Sequence, residues 1–193
     1  MSRVKELFDE LSPLLAYNEN DWVVLQEEAS VVSSWIPDIV EIFYDTLYGS
    51  ANTEKIFLKG EREKVEKTLE DWVLSLASGH KKDDFWEHQW VIALLHVKRG
   101  VNNLYMLGMM CRVQQIVLQK CMSNYEKERA AEVYSAFHRV SSTIATLIAE
   151  CYGEVVLNST KDGLSRVGMN PALLQRIKDT QIRKMIEEAR GEG

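Results

Sequence analysis

"VIALLHVKRG", residues 91–100, decides how this chain is to be understood. Of its first seven residues only His96 is polar. Lys98, Arg99 and Gly100 follow at once, the usual end of a helix: cations at the negative end of its dipole, then a glycine. A helix that is apolar on every side is a buried one. A buried imidazole costs stability unless each ring nitrogen finds a partner. That partner has to come from elsewhere.

On both sides of this stretch almost every segment repeats its apolar residues with a period near 3.6, the mark of helices. Upstream, residues 3–11 place Val4, Leu7, Phe8 and Leu11 inward and stop at Ser12-Pro13. Asn20-Asp21 caps a second helix expected to run to about Ser33. Pro37 opens a third, with Ile36, Ile39, Val40, Phe43, Leu47 and Tyr48 on one side and Gly49-Ser50 at its end. After the turn "NTEKIFLKG" comes an amphipathic helix carrying Val65, Thr68, Leu69, Trp72, Val73 and Leu76. Gly79-His80-Lys81-Lys82 breaks it, and Asp83 or Asp84 caps the helix of His96. Downstream, a long helix is expected over residues 104–122, and Ser123 opens a capping box with Glu126. The last long helix, about residues 125–157, aligns Ala130, Val133, Tyr134, Phe137, Val140, Ile144, Leu147, Ile148, Cys151 and Val155. The pattern weakens through "NSTKDGLSRVG", and residues 170–190 form one more charged helix. No strand pattern or internal repeat is present. The expected fold class is therefore all-α: seven or eight helices over residues 1–157, then a linker and amphipathic helix over 158–193.

Composition narrows the function. The chain has 193 residues, 46% of them hydrophobic, with a net charge of −6 from 29 acidic against 23 basic residues. Such a balance argues against nucleic-acid binding, which needs a basic face. No charged start precedes an apolar run, so no signal peptide is visible. The apolar region from Val140 to Val156 contains Glu150 and Glu154 and is expected to be too polar and too short for membrane insertion. Cys111, Cys121 and Cys151 are odd in number and without a C-x-x-C, so buried thiols and a cytoplasmic location are expected. No phosphate-binding loop, nucleophile elbow, H-E-x-x-H or dinucleotide fingerprint occurs.

Three polar groups lie on otherwise apolar helical faces: Tyr44, Thr68 and His96. Each has a plain structural role open to it. Tyr44 can be a core tyrosine with its hydroxyl at the surface. Thr68 can bond back to the carbonyl one turn earlier. His96 can bond a backbone carbonyl. Taken together, they also fit another chemistry. One histidine on a buried helix can bind iron through one nitrogen while the other donates to a carbonyl. An apolar all-helical pocket with a single axial histidine is how a haem is held in globins. A hydroxyl on the opposite side would bond a diatomic ligand, and Phe57 in "KIFLKG" would wedge against the haem plane.

Three stretches make the chain resemble the sensor globins, the globin domains of globin-coupled sensors. "EIFYDTLYG" resembles the family's F-Y signature, whose distal tyrosine falls on Tyr44. "EKVEKTLEDWVLSL" resembles the distal helix, with Trp72. "EHQWVIALLHVKRGVNNLYMLGM" resembles the most specific block, whose proximal haem ligand falls on His96. The resemblance covers roughly residues 5–157. The extra helix at residues 3–11 and the lack of one helix of the ordinary globin, between "NTEKIFLKG" and "EREKVEK", are further family traits. It implies haem b ligated by His96, Tyr44 as donor to bound O2, CO or NO, Thr68 as an assisting hydroxyl, and Val65 at the apolar gate. Relatives carry a leucine at the gate, so Val65 implies a wider opening. Typical members continue into an output domain; here only residues 158–193 follow, as in a single-domain sensor globin or the sensor piece of a longer protein.

The expected function is thus reversible gas sensing and not catalysis. Two alternatives stand beside it: a haem-free globin-like signalling module, against which His96 counts, and a globin acting on NO or peroxide, for which no distal acid–base histidine can be placed. His88 is expected at the surface or haem edge, His80 in a loop and His138 on an exposed helix face. Lys98 and Arg99 suit the helix C-terminus better than a haem propionate. Helix 104–122 is apolar on more than one face, with Leu104, Leu107, Met110, Val113 and Val117 on one side and Met109, Ile116 and Leu118 on others. This suggests a homodimer built on the last two long helices, with a signalling partner or a missing output domain beyond it.

Overall fold

The computed structural model describes residues 2–78, 84–166 and 171–190, which are helices joined by turns, with no strand among them. The chain divides into two compact units, Met1–Tyr152 and Gly153–Gly193.

Helix α1 spans Arg3–Leu14, its first turn capped by Ser2, whose hydroxyl accepts from the Lys5 N–H at 3.2 Å. The helix runs past the expected stop. Pro13 sits in the last turn, where the missing N–H removes a single bond, and Leu15 N–H still reaches the Leu11 carbonyl at 3.1 Å. The single helix expected to Ser33 is two, α2 Asn20–Glu27 and α3 Ala29–Ser34. The break falls at Glu28, whose carboxylate accepts from the Tyr125 hydroxyl and from Arg129 Nε, both at 2.8 Å. That tether joins residues about a hundred positions apart, and no local periodicity could show it.

Helix α4 covers Ile36–Tyr48, with Pro37 in its first turn. It ends at Gly49, where a β-carbon would stand 2.9 Å from the Asp45 carbonyl oxygen. One turn of helix, α5 Ala51–Glu54, leads to α6 Arg62–Ala77. The expected break at Gly79-His80-Lys81-Lys82 and the Asp83 cap lie outside the described residues. Asp84 precedes α7, Phe85–Arg99, without a side-chain capping bond. Gly100 closes α7 in the left-handed conformation, φ 82°, with its N–H on the Val97 carbonyl.

Helix α8, Asn103–Asn124, is capped by Asn102, which accepts from the Tyr105 N–H at 3.1 Å. The capping box at Ser123 does not form: Ser123 lies in the last turn of α8, and the next helix starts at Lys127. That helix, α9, continues to Arg166, well past the point where the apolar pattern fades. No proline lies between Leu157 and Arg166, and each residue added to an existing helix gains one bond. Helix α10 follows at Pro171–Arg190.

In the first unit α4 packs on α6 and α8, α2 and α3 pack on α6, and α1 packs on α7. Leu25, Val32 and Ile39 meet Val73, Leu76, Ala93, Val113 and Val117 in the core, with Phe137, Ile144 and Leu147 from α9, all almost fully buried. Each large side chain so buried contributes about 1.5–3 kcal/mol. Asp21, only 2% exposed, accepts Nε and Nη2 of Arg139 and the N–H of Asn18, which ties α2 to α9.

Two expectations about composition are corrected. Cys111 is exposed, while Cys121 and Cys151 are buried; all three are free thiols. Burial first, then the Glu28 charge, pushes the Cys121 thiol up to about 11. Helix α9 is also long and apolar enough to cross a membrane, with a mean hydropathy of 1.3 over its best stretch. Half of that stretch is buried inside the fold, however, as in the core helix of a globular unit.

Candidate functional site

Helices α6 and α7 run antiparallel and are pinned to each other at two levels. At one, both Nη atoms of Arg99 donate to the Glu61 carboxylate, at 2.7 and 3.1 Å. The same carboxylate accepts the Leu58 N–H at 2.6 Å, so it also fixes the chain entering α6. That backbone donor, then Arg99, hold the Glu61 carboxyl below its usual range. At the other level the indole N–H of Trp72 donates to Gln89 Oε1 at 3.0 Å, and Gln89 is 1% exposed.

These two pins set the register. Going back along α6 from Trp72 to Val65 takes seven residues, and going forward along α7 from Gln89 to His96 takes seven. From the Glu61–Arg99 pair, Val65 is four residues on and His96 three residues back. Val65 and His96 thus lie at matching sequence distances from both pins, seven residues from one and three or four from the other.

Tyr44 is tied to Val65 from a third helix. It is buried on α4, and its hydroxyl donates to the Val65 backbone carbonyl at 2.7 Å. Burial first, then the neighbouring Tyr48 and Glu66, raises the Tyr44 phenol well above its usual range, so it stays a proton donor. Phe57 is half-buried beside it, 6.0 Å from the Tyr44 ring, and stacks on Tyr48 at 4.8 Å. Val65 is itself half-buried.

His96 is half-buried, and its Nδ1 is enclosed without a hydrogen-bond partner. Burial, and then the positive charge of Arg99, lowers its pKa. The ring is thus kept neutral, the form in which imidazole binds a metal.

Thr68 stands apart from this group. It is exposed, and its hydroxyl donates to the Lys64 carbonyl at 3.0 Å, the back-bond open to any mid-helix threonine. Arg99 belongs to the Glu61 pin, and Lys98 is exposed. His88 and His138 are exposed, and His80 lies outside the described residues.

Sequence reasoning did not single out Gln89, Glu61 or Tyr48. Gln89 had a signal: it shares the inward face of α7 with Phe85 and Ala93, where a lone polar group calls for a partner. Glu61 had none, because its partner is 38 residues away. The Tyr48 hydroxyl, one turn beyond Tyr44, is buried without a partner, and Arg62 lies over its ring at 5.2 Å. Two surface grooves lie elsewhere. One, of about 200 Å³, is lined by Leu47, Ser50, Thr53 and Gly108 among others; one of about 360 Å³ lies at Arg176–Gln181 in the second unit. Neither includes His96 or Tyr44, so the site is defined by its polar groups and their register.

This region thus offers a buried tyrosine hydroxyl tied to α6 and, on α7, a histidine whose Nδ1 has no partner, the two helices being joined by two side-chain pins. The Protoglobin family model matches residues 4–156. The chain belongs to the protoglobin family. It also has the fold of the globin domain of a globin-coupled sensor from Geobacter sulfurreducens, with a TM-score of 0.68 at 21% identity. That match covers 75% of this chain and 96% of the other. No curated protein matches the chain significantly. Family membership makes this an all-α globin of a haem-binding family, and the family match accounts for the whole first unit apart from its first residues, and for the start of the second.

Proposed function

We propose that the chain is a gas sensor that binds haem b through His96 and uses Tyr44 to hydrogen-bond a diatomic gas, O2 foremost and CO and NO besides. The observation that carries this is the pairing along α6 and α7, at matching counts from the same two pins, of the carbonyl that holds the Tyr44 hydroxyl and a histidine whose Nδ1 has no partner. Phe57 would border the haem at the corner before α6, and Val65 would line the gas side. Haem iron, when bound, supplies the reversible gas-binding centre. The protein holds it with a neutral imidazole, keeps water away with apolar helices, and offers one proton. Thr68, exposed and with its hydroxyl on the Lys64 carbonyl, is assigned no part in this reading.

A haem-free signalling module would have no use for a histidine left without a partner. A catalyst acting on peroxide would want an acid–base histidine near the gas, and the described histidines other than His96 are exposed. Sensing in the cytoplasm, passed on to a partner or a further domain, is the role that fits. The ferrous protein under nitrogen, air and CO provides the test. An intense Soret band that shifts with each gas is expected, and a purified, haem-supplied chain without one would overturn the proposal.

A homodimer is part of the same proposal, with a changed surface. The stripe of α9 from Ala130 to Cys151 is spent on the chain's own core, as are Val113, Ile116 and Val117 of α8. What remains outward on α8 is Leu104, Leu107, Leu118 and Met122, the last 71% exposed, with Cys111 between them. A solvent-facing apolar stripe of this length suits a second copy about a two-fold axis. Sedimentation of the haem-loaded protein should give a dimer, and Leu118→Glu should return it to monomer.

A further inference from the structure

We propose that the Val65 backbone carbonyl competes with the bound gas for the one proton of Tyr44, and so sets which gases the site favours. The proposal rests on the assignment of His96 and Tyr44 given above.

A phenol has a single proton to donate. In this structure it is already committed, at 2.7 Å, to the Val65 carbonyl on α6. Tyr44 is 6% exposed, so little water is at hand to replace the carbonyl as partner of its hydroxyl. A gas that is to be hydrogen-bonded by Tyr44 must therefore draw the proton off Val65. The carbonyl can release it. A carbonyl oxygen has two lone pairs, and Val65 lies inside α6, where the N–H of the next turn occupies one of them. The oxygen is not left bare when Tyr44 departs, and the exchange is reversible.

The competition is decided by the acceptor. Val65 offers a neutral amide oxygen. A gas that takes on negative charge when bound, as O2 does, is the better acceptor, because charge-assisted hydrogen bonds are about twice as strong as neutral ones. A gas that stays near neutral, as CO does, is a poorer acceptor than an amide and leaves the proton where it is. Selectivity thus comes from a backbone group that never touches the gas. The same exchange removes one of the polar links between α4 and α6, leaving the Arg62–Asp45 ion pair at 2.6 Å. Gas identity is in this way registered at a helix interface.

The test uses the full chain, wild type and Tyr44→Phe. Ultraviolet resonance Raman difference spectra between the two isolate the Tyr44 ring modes in four forms: haem-free, haem-loaded without gas, CO-bound and O2-bound. The expected result is one hydrogen-bonded signature in the first three and a different one with O2. Dissociation of O2 from Tyr44→Phe should be at least about tenfold faster, and of CO within about twofold. A Tyr44 signature that changes with CO as it does with O2 overturns the competition. So does one that O2 leaves unchanged while its dissociation still accelerates, since Tyr44 would then serve both acceptors at once. If neither dissociation rate responds to Tyr44→Phe, the assignment of Tyr44 as gas donor fails, and this inference fails with it.

Discussion

Asp21 and His96 are polar groups on two seams of the same helical shell, and their surroundings are opposite. Both oxygens of Asp21 are used: Arg139 donates to them through Nε and Nη2 at 2.5–3.2 Å, and the Asn18 N–H adds a third donor at 3.1 Å. His96 has an enclosed Nδ1 with no partner. Along the seam of α2 and α9 the chain completes its own polar groups. Along the seam of α6 and α7 it pins the two ends, at Glu61–Arg99 and Trp72–Gln89, and leaves the middle unfinished. The closed seam holds the fold together; in the proposed reading the open one is where the haem is held. Orphaned atoms alone would not draw this distinction. Trp86 Nε1 and the Tyr152 hydroxyl are also without partners, and nothing in their surroundings explains them.

The comparison can be broken most directly at His96. His96→Ala should abolish stable haem binding, because no other described histidine is turned inward; haem content after purification measures it. Stoichiometric haem with an unchanged ferrous spectrum would place the ligand elsewhere. On the closed seam, Arg139→Met leaves Asp21 buried and unpaired. It should lower the stability of the haem-free chain by about 3 kcal/mol, the lower end for a broken buried pair since Arg139 keeps some solvent contact. Denaturant unfolding gives the loss, and the haem affinity of the folded fraction should not move.

A smaller effect comes from protons. The His96 pKa is lowered in the folded chain, so below about pH 6.5 the unfolded chain binds a proton that the folded one refuses. Stability of the haem-free chain should therefore fall as the pH drops below that value and level off once the folded ring is protonated too. His96→Phe should remove that part of the slope; a slope identical in the variant would mean that His96 is not the group responsible. The smallest expected effect is at Thr68, whose hydroxyl is spent on Lys64. Thr68→Val should change O2 dissociation by less than about twofold, against the tenfold or more at Tyr44. A change at Thr68 as large as at Tyr44 would mean that the threonine turns inward once haem is present.

Local sequence determined a great deal here. Period-3.6 patterns, Pro37 in the first turn of α4, and Gly49 and Gly100 after α4 and α7 are properties of neighbouring residues, so the helices and most of their ends were legible. Tyr44 and His96 stood out for the same reason, as polar groups on apolar helical faces, whereas Phe57 is a ring in the turn before α6 and Val65 was pointed to only by the resemblance to sensor globins. Where a helix ended or failed to end for a distant cause, the sequence was silent. Glu28 is tethered to Tyr125 and Arg129, and the break between α2 and α3 follows from tertiary contact. An apolar stripe says that a face is buried but not by what: that of α9 went to the core, and part of that of α8 stayed outside. The same holds for the site. Periodicity put Thr68 and Tyr44 on equal terms, each an inward hydroxyl. Only packing decided that one bonds its own helix and the other crosses from α4 to the Val65 carbonyl. A helix repeats its pattern every few residues, and the chain carries that information locally. The partner of a polar group is chosen by the register between helices, which exists only once they have packed.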